Sequence, residues 1–232
     1  TLASLLKVQQ MGTRIALASG RPTYGLMPLA KILELGNYGG FIVSYNGCQI
    51  INAQNGEILF ERRINPEMLP YLEKKAHKNG FAIFTYHDDT LLTDSPNNEH
   101  IRTEAKLNNL KIIKEEDFSI AIDFAPCKCM LVSDDEEALT GLEEHWKRRL
   151  NGTLDVFRSE PYFLEVVPCG IDKANTLGVL LSHLNITREE VIAIGDGVCD
   201  VNMLQIAGLG VAMGHSQDSV KVCADYVTAS NE

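Results

Sequence analysis

Positive charge is in short supply. Lys and Arg number 21 against 31 Asp and Glu in 232 residues, a formal net charge of −10. Such a balance argues against a nucleic-acid backbone or an anionic membrane as the main partner, because both reward clustered Lys and Arg. Long apolar runs are missing too. No stretch approaches the ~18 residues of a membrane span, and the opening TLASLLKVQQMG lacks the basic, apolar and cleavage regions of a secretory signal; the cytoplasm is the expected location. There is no CxxC and no Cys/His cluster. The six cysteines (Cys48, Cys127, Cys129, Cys169, Cys199, Cys223) are scattered, which favours free thiols in a reducing compartment over a zinc site or a disulfide framework. Internal repeats and low-complexity tracts are also lacking. What remains is an ordinary globular composition, 45% hydrophobic and 22% charged, long enough for one large or two modest domains. An anionic substrate would have to be held by local positive features.

The stretch VIAIGDGVCDVNML, residues 191–204, organises the rest. Its apolar run at 191–194 reads as a buried strand, broken by Gly195-Asp196-Gly197 and followed by a second carboxylate at Asp200. A short helix should begin near Val201, so both acids would lie at the carboxyl end of a strand, where open α/β sheets bind ligands. Paired carboxylates in a glycine-rich turn suit Mg²⁺, which takes one or two protein carboxylates plus substrate phosphate. The plainer alternative is an ordinary turn with solvated acids.

Two further places share this character. RIALA at 14–18 reads as a short buried strand running into Ser19-Gly20-Arg21-Pro22, with Pro22 at the start of a helix closed by Gly36. The Ser19 hydroxyl and the Gly20 amide then stand where free N–H groups can hold a phosphate, or where they merely cap a helix. Asp172 can cap a helix through Leu184 with Lys173 as its first residue. A cation there opposes the helix dipole by ~0.3 to 1 kcal/mol, which marks it as a candidate for meeting an anion; a solvated lysine paired with Asp172 is the alternative.

Around these, helix, strand, helix, strand and a hairpin through Asn55-Gly56 occupy residues 1–64. From Asn65 the texture changes to helices alternating with strand pairs: a helix to Gly80, strands near 81–86 and 90–93, a polar stretch at 94–109 helical at best in part, strands near 120–124 and 129–132, a helix from a Ser133/Glu136 capping box to Leu150, and strands near 154–157 and 162–167. Cys127 and Cys129 would share a strand face. Residues 65–167 thus read as an inserted α+β domain, and 168–232 return to the first texture with strands near 210–213 and 226–228 and a helix at 216–223.

A hydroxyl with an amide, a lysine and two acids supply hydrogen bonds, charge neutralisation and metal ligation, the requirements of phosphoryl transfer. Here the chain resembles the haloacid dehalogenase-like hydrolase superfamily, and more closely its Cof-type phosphatases with a type IIB cap. ALASGRP (16–22) is similar to motif two, GIDKANTL (170–177) to motif three and IGDGVCDVNML (194–204) to motif four; SYNGCQI (44–50) and the terminal GVAMGHSQDSVKVCADYVTASNE (210–232) are similar to two more family stretches. The resemblance implies a Rossmann-like core with a parallel sheet (1–64 and 168–232) carrying an inserted cap (65–167) that sets specificity. It implies catalytic Ser19, Lys173, Asp196 and Asp200; substrate contacts from Ser19, Gly20, Arg21, Asn46, Lys173 and Cys199; and Mg²⁺ on Asp196 and Asp200. The expected reaction is hydrolysis of small phosphate monoesters, such as sugar phosphates, pyridoxal phosphate or flavin precursors, through an aspartyl-phosphate. The oligomeric state is not legible.

The departures from the family pattern are specific. Motif one, DxDGT, which carries the nucleophilic aspartate, is not found; Asp88-Asp89 and Asp134-Asp135 read as turns. The expectation is an amino-terminally shortened chain, trimmed after Glu232 as well and inactive alone. Cys199 stands where motif four usually has Asn, Ala174 where a glycine is usual and His215 where an asparagine is usual. A phosphohexomutase of the same superfamily and a non-catalytic ligand-binding relative are the rival readings.

Overall fold

The computed structural model describes residues 1–229, which fold into three sheets; the last three residues of the terminal family-like stretch, 230–232, lie outside the described residues. Helix α1 (Leu2–Gln10) leads into β1 (Ala16–Ala18), and α2 (Thr23–Ile32) into β2 (Phe41–Ser44), β3 (Gln49–Asn52) and β4 (Ile58–Glu61). β1 and β2 pair in parallel, while β2, β3 and β4 run antiparallel. Pro22 takes the N-cap of α2 rather than its first helical position, and the helix ends at Ile32, before Gly36.

The second sheet is built from α3 (Leu69–Lys78), β5 (Ala82–His87), β6 (Thr90–Thr93), α4 (Glu99–Leu107), β7 (Lys111–Lys114), α5 (Phe118–Ala121), β8 (Cys129–Val132), α6 (Glu136–Arg149), β9 (Leu154–Glu160) and β10 (Phe163–Pro168). Its strand order is β7-β6-β5-β8-β10-β9, antiparallel except for β6 with β7. Strand side chains alternate between faces, and here both faces are buried. Ile83, Leu131, Leu164 and Val166 pack under α3 and α6. Phe84, Met130, Val132, Phe163 and Val167 pack with α4 and with Tyr45, Cys48 and Ile171 from outside the block.

The third sheet follows: α7 (Lys173–Leu184), β11 (Ile192–Gly195), α8 (Val201–Ile206), β12 (Leu209–Ala212), α9 (Asp218–Lys221) and β13 (Tyr226–Val227). Its strands run parallel in the order β11-β12-β13. The architecture is α/β, with parallel pairing in the first and third sheets and an α+β block between them. Among the described residues no helix is long and apolar enough to cross a membrane, and all six cysteines are free.

Several local expectations give way. The strand expected near 120–124 is the short helix α5, because Phe118 and Ile122, four residues apart, are both buried on one side while Ile120 is 80% exposed. KIIK at 111–114 forms a strand that the sequence did not signal. The polar stretch before it carries a regular helix, α4, capped by Asn98 through the His100 and Ile101 amides. The cap of α6 is Asp135, accepting from the Ala138 amide, with Ser133 Oγ, two residues earlier, accepting from the Asp135 amide. The strands expected to be buried at 14–18 and 191–194 are edge strands: among the described residues β1 pairs only with β2 and β11 only with β12. Ile192 and Ile194 are accordingly 63% and 55% exposed.

Candidate functional site

The loop that leaves β1 is laced to the loop that leaves β2. The Ser19 amide donates to Val43 O at 2.9 Å, the Asn46 amide to Ser19 O at 3.0 Å and the Tyr45 amide to Arg21 O at 3.0 Å. The Arg21 amide turns back onto Ser19 Oγ at 3.2 Å. Tyr45, Asn46 and Gly47 all have positive φ (52°, 57° and 108°). For the two non-glycine residues this conformation costs of order 1–3 kcal/mol each and persists only where neighbours over-determine it. They do: a Cβ at Gly47 would stand 2.5 Å from Thr176 Oγ1, and that hydroxyl donates to Gly47 O at 2.9 Å. The loop is thereby pressed onto the first turn of α7.

Lys173 begins that turn. Asp172 caps the helix by accepting from the Asn175 amide at 2.7 Å, so it is not the lysine's partner. Lys173 is buried and its Nζ reaches Asp200 Oδ1 at 2.5 Å and Cys199 Sγ at 3.6 Å. The solvated, Asp172-paired lysine is thus excluded. Asp200, also buried, accepts from the Asp196 amide at 3.1 Å and the Gly197 amide at 3.0 Å with its other oxygen. Burial alone would raise the Asp200 carboxyl, but Lys173 and the two amides outweigh it and hold it below the ordinary carboxylate range. Burial would lower the Lys173 ammonium; Cys199 and Asp200 raise it instead. Gly195 is required by close approach, since a Cβ there would stand 2.5 Å from that of Asp200.

The eight residues singled out from the sequence fall into three situations. Ser19, Gly20 and Asn46 form one knot, and Lys173, Cys199, Asp196 and Asp200 another, joined through Gly47 and Thr176. Asn46, Lys173 and Cys199 line one cavity of about 570 Å³, together with Lys147 of α6 and Asp155 and Arg158 of β9. Arg21 departs from expectation as a side-chain contact: its guanidinium is turned to Leu107 O at the end of α4, 3.5 Å away, and only its backbone N–H faces Ser19. Asp200, expected to share the metal with Asp196, has Oδ1 on the lysine and Oδ2 on the two amides. Asp196 is the open carboxylate, its side chain 62% exposed with Oδ2 3.4 Å from His215 Nε2. Among the described residues no group of three or more His, Cys, Asp and Glu could by itself hold a metal ion. A larger cavity of about 670 Å³, lined by His77, Asp94 and Asp134, contains none of the eight.

Residues 1–232 match the haloacid dehalogenase-like hydrolase family along their whole length. The chain belongs to that family. It is similar to a haloacid dehalogenase-like hydrolase of known structure from Bacteroides thetaiotaomicron, with 46% identity and a TM-score of 0.94, over 99% of this chain and 86% of that one. It is 30% identical to the 5-amino-6-(5-phospho-D-ribitylamino)uracil phosphatase YcsE of Bacillus subtilis, over 98% of this chain and 81% of that protein. It is also 27% identical, over 95% of its length, to the protein named Endoribonuclease YBEY, chloroplastic, of Arabidopsis thaliana, but spans only 39% of that relative. This haloacid dehalogenase-like hydrolase stands with the family's phosphatases.

Sequence reasoning missed two groups in this family member's site. Thr176, one turn into α7, carries the hydrogen bond to the Asn46 loop. Lys128 and Glu165, buried at 3% and 5% side-chain exposure, pair at 3.0 Å beside Asn46 and Gly20. The available signal for the pair was a lone charge inside each of two apolar segments, PCKCM and FLEVV.

Proposed function

We propose that this site serves Mg²⁺-dependent hydrolysis of small phosphate monoesters. The observation that carries the reading is the buried Lys173 amine at the head of α7, locked to Asp200, which in turn organises the turn bearing the open carboxylate of Asp196. A fixed cation, the Ser19 hydroxyl and the Gly20 amide would hold phosphoryl oxygens, with the Arg21 amide keeping that hydroxyl in place, so that binding costs no reorganisation at the moment of reaction. Mg²⁺ fits an exposed hard oxygen donor that leaves room for phosphate and water ligands; Asp196 would hold it, Asp200 would support it, and the ion would supply charge neutralisation. Cys199 offers the lysine a weakly accepting sulfur, 3.6 Å from Nζ, where an amide oxygen would accept more strongly.

In this reading residues 65–167 are the cap and 1–64 with 168–232 the core. Among the described residues the six strands between Ala82 and Pro168 pair only with one another, and the cavity holding Lys173 has its other wall on α6 and β9. That wall would choose the leaving group among sugar phosphates and similar metabolites. The attacking aspartate belongs to the DxDGT motif, which these 232 residues do not contain. The test is Mg²⁺-dependent phosphate release from p-nitrophenyl phosphate, by this chain and by one that includes DxDGT. Turnover is expected from the second alone. Turnover by the 232 residues would overturn the assignment of the nucleophile, and inactivity of both would overturn the phosphatase reading.

A further inference from the structure

Lys128 lies just before β8 and Glu165 in β10, with the parity of Met130, Val132, Phe163 and Val167, on the sheet face that also meets Tyr45 and Cys48. A buried ion pair is weak evidence for stability, because desolvation of both charges offsets their attraction and apolar replacements often fold as well. This pair has further partners. Lys128 Nζ donates to Gly20 O at 3.0 Å, across 108 residues of chain, and Asn46 Nδ2 donates to the same Glu165 Oε2 at 3.0 Å. The amine also stands 5.5 Å from the Tyr86 ring centroid.

The carbonyl it holds is half of a peptide group whose other half faces the site. In a trans, planar peptide the C=O and the following N–H point in opposite directions, and the chain has no cis peptide among its described residues. Pinning Gly20 O to the Lys128 side therefore aims the Arg21 N–H the other way, onto Ser19 Oγ. Glycine leaves this peptide free to rotate unless something restrains it. A Cβ at position 20 would stand 2.8 Å from Asn46 Oδ1, so a stiffer residue there would displace the Asn46 amide from its place against Glu165.

We propose that Lys128, anchored by Glu165, is a positioning residue that fixes the Gly20–Arg21 peptide so that the Arg21 amide holds the Ser19 hydroxyl in place for the phosphoryl oxygen. The inference rests on the phosphate reading of the site and deepens it: the six-stranded block acts on phosphate affinity itself as well as on the leaving group.

The test is titration of the whole 232-residue chain with inorganic phosphate, followed by backbone amide NMR. In the unaltered chain the Gly20 and Arg21 amides shift and saturate. The variant Lys128→Met with Glu165→Gln removes both buried charges while leaving Asn46 an acceptor. It is expected to keep the wild-type spectrum away from the site, to bind phosphate about tenfold more weakly, the loss of about one good contact, and to lose the Arg21 response while residues around Lys173 still respond. Lys128→Arg, which keeps a cationic donor, should recover most of the affinity. Should the double variant not fold, Glu165→Gln alone is read the same way, with a smaller weakening and a reduced Arg21 response. Wild-type affinity with an intact Arg21 response in a folded variant overturns the proposal and leaves the phosphate reading standing. No phosphate binding by the unaltered chain overturns both.

Discussion

The six-stranded block and the segments that flank it are built on opposite terms. In the block, β8 and β10 are buried at every position and each sheet face has its own large cluster, with Trp146, Phe118 and Phe84 fully enclosed. The flanking segments have smaller clusters around Leu26, Met203 and Leu180. They leave Ile192, Ile194 and Val198 more than half exposed beside the carboxylates. Apolar burial is what opposes chain entropy, at ~25 cal/mol per Å², so the block holds most of that stabilisation while the flanks hold the chemistry. Tyr45 and Asn46, both at positive φ, lie in the loop that joins Ser19 to α7.

The largest effect that could sharpen this contrast is at Lys173. Lys173→Ala, in a chain that includes DxDGT, is expected to lower phosphate release about 10²–10³-fold, the usual cost of removing a preorganised group that stabilises developing charge. The far-UV circular dichroism should persist because the block does not depend on that residue. Unchanged turnover would return Lys173 to a structural role. Next comes the contrast itself. Hydrogen exchange and limited proteolysis should find β5, β8 and β10 the slowest to open and β1 and β11 faster by at least about tenfold, which is ~1.4 kcal/mol of local stability. Equal protection in both regions would break the comparison.

How much of this was legible before any coordinates follows the same division. Ser19, Lys173 and Asp196 stand at strand ends or a helix start, with glycine or proline beside them, and local pattern locates such places. The parts that Asp200 and Arg21 play were not legible, because a carboxylate or guanidinium in a loop has many possible partners and only the fold selects among them. The Lys128–Glu165 pair was hidden for another reason: a single charge in an apolar strand looks like ordinary alternation until the opposite charge is brought from 37 residues away. In the block, residues 120–124 were misread because a short apolar run carries no decisive period.

Two smaller effects test the regions residue against residue. Gly195→Ala would force a Cβ within 2.5 Å of the Asp200 Cβ, an overpacking that costs about 1–3 kcal/mol. Gly141→Ala, in the middle of α6 with nothing within 4 Å of the added atom, should stabilise by about 0.5–1 kcal/mol. Urea unfolding of the two variants should therefore move in opposite directions, and a shift of the same sign would mean that the close approach at Gly195 is relieved at no cost.

The smallest effect is chemical. Burial pushes the Cys129 thiol up to about 12, with Thr85 opposing, and burial with the Glu61 charge does the same for Cys127. Only the thiolate reacts with an alkylating agent, and a raised pKa means less of it at any pH below that value. Cys169, exposed outside the strands, is open to the reagent and should be modified by iodoacetamide within minutes. Cys127 and Cys129 should react only as fast as the block opens, and denaturant should abolish the difference. Prompt labelling of Cys129 in the native protein would show the block opening as readily as the loops around Asp196, and the division of labour between the two regions would go with it.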